Sequence, residues 1–429
     1  MTKLDAAQEI LEVELGPERR GSTLRFVSNG AAMAAANLLG RGLGYISIIL
    51  MARRLAVPYM GAYVLLYTAS ILVELVANLG LDKLLIREIA GSTSAVGKGY
   101  FRAALPIRFA MATVSWAAAW GLLMTFFRHE LPVNATTAGI FLAMIFPVIA
   151  TRNCEAFLAA HEKLIPIAFS QFAERMLMFA AAMLLVTGKL SFGGMMCVAP
   201  LAALVRMIMI AVLTRREWIP NETPVHPNVR KLMREGLELF LTEVLALVYF
   251  RSDVFVMAKM RGLADTGIYQ IAYKIFDACL SLFAGFLQAA FPRMVRNNTK
   301  EMLRTHLLLG SLLLSVPAIG VILLRHPILN VFHKQYVNGS TALVWLMLTV
   351  PLVYINSTLA NATIVARRVR LLGSLALLLV VMNVGLDIAL IPRWGINAAA
   401  FVTFFCEVFS TAVLAPLLLR AMPKVRNEA

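Results

Sequence analysis

Apolar runs of about twenty residues or more recur along this chain from near residue 26 to residue 419, separated by short charged punctuation. A bilayer core about 30 Å thick needs about 20 helical residues to cross, so each run is a candidate span. Transmembrane β-strands are shorter and alternate apolar with polar residues, a pattern these runs lack. Composition agrees: 60% of the residues are hydrophobic, 15% are charged, and mean hydropathy is +0.76. A soluble chain of 429 residues needs more charged surface than this. The expected class is an all-α, polytopic integral membrane protein.

The runs place spans at about 26–52, 60–82, 104–127, 137–160, 165–187, 191–214, 234–258, 265–291, 305–324, 340–365, 370–391 and 396–419, twelve helices in all. Loops taken alternately then test orientation. The side shared with the N-terminus holds well over twice as many Lys and Arg as the other, including Arg19, Arg20, Arg87, Arg102, Arg215, Arg216, Arg293, Arg296, Arg367 and Arg368. Both termini are therefore expected in the cytoplasm. The net charge of +16 follows from this topology, so no nucleic-acid partner is expected. The first run is too long for a signal-peptide core and reads as a retained helix. Ahead of it, LDAAQEILEVEL has the pattern of a short amphipathic helix at the cytoplasmic leaflet. Cys154, Cys197, Cys279 and Cys406 lie inside apolar runs without paired spacing, which predicts neither a disulfide nor a metal site.

One stretch occurs twice. MARRLAVPYMGAYVLLY at 51–67 aligns without a gap to MAKMRGLADTGIYQIAY at 257–273, matching Met51 to Met257, Ala52 to Ala258, Gly61 to Gly267, Tyr63 to Tyr269 and Tyr67 to Tyr273, always 206 positions apart. The longest internal polar segment, RREWIPNETPVHPNVRK at 215–231, falls between the copies, and its three prolines discourage a continuous helix. The predicted organisation is a cytoplasmic segment 1–24, a six-helix lobe 25–214, a linker 215–232, a second lobe 233–419 and a tail 420–429. Six helices return the chain to its starting side, so the lobes share topology about an axis along the membrane normal.

The outer connections are too short to fold into a domain, which disfavours a membrane glycosyltransferase or polymerase. The sequence has six His and no HExxH, GxSxG or Walker A pattern, so neither an enzyme nor an ATP-driven pump is expected.

Ionisable groups at the bilayer centre cost at least about 2.5–3.5 kcal/mol each, which makes them candidates for function. Arg41, in NLLGRGLGYIS, lies about 24 Å along the first helix, too far to snorkel back to its start. Its flanking glycines read as a small-residue stretch that lets helices approach. Arg251 and Asp253 stand in YFRSDVFVM. Lys274 and Asp277 stand in AYKIFDACL, three apart and so on one face. These four are either neutralised structural pairs or a polar pocket in which cations hold an anionic substrate and carboxylates take a proton or sodium ion. Arg152, Glu155, Arg206 and Glu74 are secondary candidates. With Glu174, Arg175, Glu243, Asp387 and Glu407, each reads singly as an interhelical ion pair or hydrogen bond. Tyr63, Tyr67, Tyr269 and Tyr273 read as an interfacial aromatic belt.

The stretch LGRGLGYISIILMARRLAVPYMGAYVLLYTASILVELVANLGLDKLLIREIA resembles the opening of the polysaccharide exporters, the lipid-linked oligosaccharide flippase family of the multidrug, oligosaccharidyl-lipid and polysaccharide exporter superfamily. TGIYQIAYKIFDACLSLFAGFLQAAFPRM, following Asp253, resembles it again in the second half, and the likeness runs from about 25 to 419. It implies two six-helix lobes around a V-shaped, cationic central cavity that opens alternately to each side. The implied substrate is an oligosaccharide on undecaprenyl diphosphate, moved from the cytoplasmic to the outer leaflet of a bacterial-type inner membrane. Arg41, Arg251 and Lys274 would then offset desolvation of the diphosphate. Asp253 or Asp277 would couple transport to H+ or Na+, with no other cofactor. Implied partners are the lipid-linked oligosaccharide, the bilayer, a polysaccharide polymerase and other assembly proteins, around a monomeric transport unit. Lipid II flippases usually carry two further C-terminal helices, and drug antiporters usually have an acidic residue in helix one where this chain has Arg41. Both differences favour the oligosaccharide branch over a cation-coupled multidrug antiporter.

Overall fold

The computed structural model describes residues 38–92, 94–215, 229–296, 300–365 and 368–421; the expected N-terminal segment 1–24, most of the linker and most of the tail lie outside them. Every element among the described residues is helical: α1 (38–54), α2 (Val57–Asn78), α3 (Leu81–Ala90), α4 (Ser94–Phe126), α5 (Ala135–Leu142), α6 (Ile145–Ala160), α7 (Leu164–Val186), α8 (Phe192–Leu213), α9 (Val229–Met260), α10 (Leu263–Arg296), α11 (Lys300–Leu323), α12 (Arg325–Phe332), a 3-10 helix (Lys334–Gly339), α13 (Ser340–Val365), α14 (Val369–Trp394) and α15 (Ile396–Ala421).

Nine stretches among the described residues are helical, long and apolar enough to cross a membrane. The three expected spans outside this set are α1, α9 and α10. Helices α9 and α10, with 32 and 34 residues, are long enough, but α9 carries Arg251 and Asp253 and α10 carries Lys274 and Asp277.

One expected span ends early. The one at 60–82 ends at Asn78, because Leu79 (φ 49°) and Gly80 (φ 67°) are both left-handed and cannot extend a right-handed helix. The chain restarts as α3, with Asp82 in its favourable first turn and Arg87 in its last. Leu81, Leu84, Leu85 and Ile89 bury one face of α3, which packs on α6, while Lys83 and Arg87 are exposed. The span at 137–160 is found as Ala135–Ala160, with a two-residue turn between α5 and α6.

The chain forms two compact units, and they are not the two halves of the sequence. Residues 38–48, 76–116 and 143–237 belong to the first, where α3 packs on α6, and α6 and α7 pack on α8. Residues 49–75, 117–142 and 238–421 belong to the second. There α13 is the central helix, packed by α10, α11 and α15. Leu303, Leu359, Leu375, Leu414 and Leu418 close a core between α11, α13, α14 and α15.

The duplicated corner lies wholly in the second unit, at the turns from α1 to α2 and from α9 to α10. Matching positions have matching burial: Met51 and Met257 are 1% and 0% exposed, Ala52 and Ala258 are buried, and Arg53 and Lys259 are exposed. The two copies also touch. A Cβ on Gly61 would overlap the carbonyl oxygen of Leu263, and one on Gly267 would stand 2.6 Å from Val57 O and 3.1 Å from Gly61 N. Only glycine permits this backbone-on-backbone approach. Gly61→Ala is therefore expected to cost about 1–3 kcal/mol. Gly42→Ala, with nothing within 4 Å of the added Cβ, is expected to be neutral or slightly stabilising. Thermal unfolding in detergent compares the two.

The aromatic-belt expectation fails for the second copy. Tyr269 and Tyr273 are 0% and 2% exposed, buried against protein rather than at an interface.

Candidate functional site

Counting back from the corner at 1.5 Å per residue, Arg251 on α9 and Lys274 on α10 each lie about 15 Å along their helices, half the thickness of a bilayer core. The structure brings them to one carboxylate. Arg251 Nη2 lies 3.4 Å and Lys274 Nζ 3.8 Å from Asp277 Oδ2. The Arg251 guanidinium also covers the Tyr273 ring, 5.1 Å from its centroid. All three charged side chains keep 18–29% of their surface. Two cations share one carboxylate in a partly accessible position.

The buried carboxyls sit closer to the corner. Asp253 Oδ2 accepts a 2.7 Å hydrogen bond from Tyr269 OH, and its Oδ1 accepts from Val254 N at 2.8 Å. From the facing helix α14, Asn383 Oδ1 accepts from Ser252 Oγ at 3.3 Å. One turn further along α14, Asp387 is 1% exposed and lies within electrostatic reach of Asp253. Neither of its carboxyl oxygens has a hydrogen-bond partner among the described residues. This overturns the reading of Asp387 as one half of an interhelical pair. A buried carboxyl left without a donor either holds a proton or waits for a cation. Glu407, by contrast, accepts from Tyr249 OH at 2.9 Å and Asn356 Nδ2 at 2.6 Å, the interhelical bonding expected of it.

The secondary candidates pair among themselves in the first unit. Arg206 bridges Glu155 at 2.5 Å and Glu174 at 2.6 Å. Arg152 pairs with Asp82 at 2.9 Å. They read as structural ion pairs tying α3, α6, α7 and α8. Glu74 is half-buried in α2. Arg41 is exposed on α1, in the first unit rather than with the α9–α10 cluster. Cβ atoms on its neighbours Gly40 and Gly44 would lie 3.5 and 3.4 Å from the Arg175 side chain, ordinary contact distances, so the helix approach there does not require glycine.

Arg108 was missed by the sequence reading. It is 0% exposed on α4, donates to Asp82 Oδ1 at 2.6 Å, and leaves Nε and Nη1 without partners among the described residues. The signal was an arginine inside the apolar run expected at 104–127. Asp82 was hidden differently, since it stands where a span was expected to end.

Helices long enough to span a bilayer, with cations sharing a carboxylate at half depth and buried carboxyls beside them, are the build of a membrane transporter. Residues 26–298 match the polysaccharide biosynthesis protein family, and the chain belongs to it. The fold is shared with solved transporters. The lipid II flippase MurJ in an inward closed conformation superposes with a TM-score of 0.72 at 14% identity, covering 90% of this chain and 87% of that one. An inward-facing multidrug resistance MATE transporter of the MOP superfamily gives 0.69 at 14% identity, covering 88% and 94%. A MOP superfamily transporter from Pyrococcus furiosus, described as having a binding pocket of reversed polarity, gives 0.61 at 14% identity, covering 93% and 94%. No curated protein matches the sequence at a significant level.

Proposed function

We propose that this chain is a flippase that carries an oligosaccharide repeat unit on undecaprenyl diphosphate across the cell membrane, from the cytoplasmic to the outer leaflet, for polysaccharide assembly. The observation that carries the reading is the Arg251–Lys274–Asp277 trio, two partly accessible cations on neighbouring helices that suit a diphosphate that lipid would exclude. Membership of a polysaccharide biosynthesis family supports the glycan, and the fold shared with a protein titled a lipid II flippase supports a lipid carrier. The corner end of the molecule faces outward and both termini face the cytoplasm. The product would pass to a polymerase at the outer leaflet. A multidrug antiporter would move cationic dyes, which this trio repels. Deleting the protein, in cells without a second flippase, is expected to trap lipid-linked repeat units at the cytoplasmic leaflet. Unchanged delivery to the outer leaflet rejects the reading.

Transport is driven by exchange of H+ or Na+ at Asp253, with Asp387 as the unpartnered carboxyl beside it and Asp277 as the carboxylate shared by Arg251 and Lys274. Asp253→Asn is expected to leave export insensitive to collapse of the coupling gradient, measured with ionophores selective for each ion. Export in this variant that still falls like the wild type's contradicts coupling through Asp253.

A further inference from the structure

The copies of the duplicated corner do more than touch. Arg53 Nε donates to Val331 O at 2.6 Å, and Lys259 Nζ donates to Phe126 O at 2.8 Å. Arg53 and Lys259 are matching positions of the repeat, 206 apart. Their acceptors, Val331 and Phe126, fall one position short of matching, 205 apart. Phe126 ends α4 and Phe332, next to Val331, ends α12, and these two are again 206 apart. Each basic residue reaches from one half of the sequence to the terminal carbonyls of a helix in the other half. The carbonyls of a helix's last turn lack intrahelical donors, and the macrodipole there favours a cation. Lys259 additionally reaches Glu130 Oε1 at 3.2 Å and covers the Phe127 ring at 5.6 Å.

We propose that Arg53 and Lys259 are the two arms of a reciprocal latch that holds the corner ends of the two sequence halves together, and that the latch must part for substrate to leave. The proposal rests on the alternating-access reading above. Three features make the seam reversible rather than a fixed core. Both arms are exposed side chains held by single carbonyl oxygens or an exposed carboxylate. Between them the corners cross backbone on backbone at Gly61 and Gly267. Each arm also lies at the corner end of its own helix, α1 or α9, and so moves with it.

The latch is tested by pulsed electron resonance on the full chain in lipid nanodiscs, with spin labels on Arg54→Cys and Lys334→Cys. Both positions are exposed at the corner end, and Cys197→Ala removes the exposed native thiol while the other three are buried. Two exposed cation–carbonyl contacts shift an open-to-closed ratio by about three- to thirty-fold. Arg53→Ala with Lys259→Ala is expected to move that much weight to longer separations, and Arg53→Lys with Lys259→Arg to restore the wild-type distribution. Arg128→Ala with Arg393→Ala, which removes two other exposed cations at the same end, is expected to change nothing. An unchanged distribution in the latch variant, or an equal shift in the control, overturns the proposal. The readout needs no substrate: a shifted distribution in a protein that moves no lipid-linked glycan keeps the latch and rejects the flippase.

Discussion

Replacing Arg251 and Lys274 together by alanine is expected to reduce glycan export at least about 100-fold at unchanged expression. A hydrogen bond from a charged group is worth about 1.5–3 kcal/mol, so each cation lost from a phosphate contact costs about tenfold or more. Either single substitution leaves Asp277 with its other cation, at 3.4 or 3.8 Å, and folding intact. Adding Asp277→Asn to the double variant separates the possible roles. It removes the carboxylate that the double substitution strands, so any lost stability returns, yet export stays low because no cation is left for the substrate. If the trio merely neutralises itself for packing, that triple variant recovers stability and export together.

The largest effect on stability is expected away from this site, at Asp82. Asp82→Asn strips the ionic partner from Arg108, which is 0% exposed, and from Arg152 in the same step. An uncompensated buried charge costs about 3–5 kcal/mol. Unfolding in detergent should therefore fall well below the wild-type temperature. Asp82→Asn with Arg108→Met is expected to recover most of the loss, because the charge that lacked a partner is gone. Arg87→Ala serves as the contrast. Its side chain is 61% exposed, its partners Glu88 and Glu235 stay solvated, and little change is expected. A melting temperature for Asp82→Asn equal to that of Arg87→Ala would contradict the role given to Arg108.

Fold class was legible because apolar run length is a direct consequence of bilayer thickness, and the duplicated corner was legible because Met51–Tyr67 and Met257–Tyr273 align without a gap. The break after Asn78 was not, because Leu79 and Gly80 sit in an apolar context that hides a left-handed turn. At the site, the spacing of Lys274 and Asp277 put both on one face, as found, and Arg251 joined them from α9. Partners that arrive through tertiary contact left no trace in the sequence. Tyr269 looked like an interfacial ring and is the donor to Asp253. Asp387 looked like any paired carboxylate and is bonded to nothing among the described residues. Arg152, Glu155 and Arg206, secondary candidates that read singly as interhelical pairs, are paired with Asp82, Glu174 and one another.

Binding of a short-chain polyprenyl diphosphate saccharide to the purified protein, followed by calorimetry at two salt concentrations, tests the central claim most directly. The account predicts binding that weakens with salt and falls at least about tenfold in Arg251→Ala/Lys274→Ala, at an unchanged melting temperature for Arg251→Ala alone. Equal affinity in the wild type and the double variant would mean that these cations serve the helices and not the substrate.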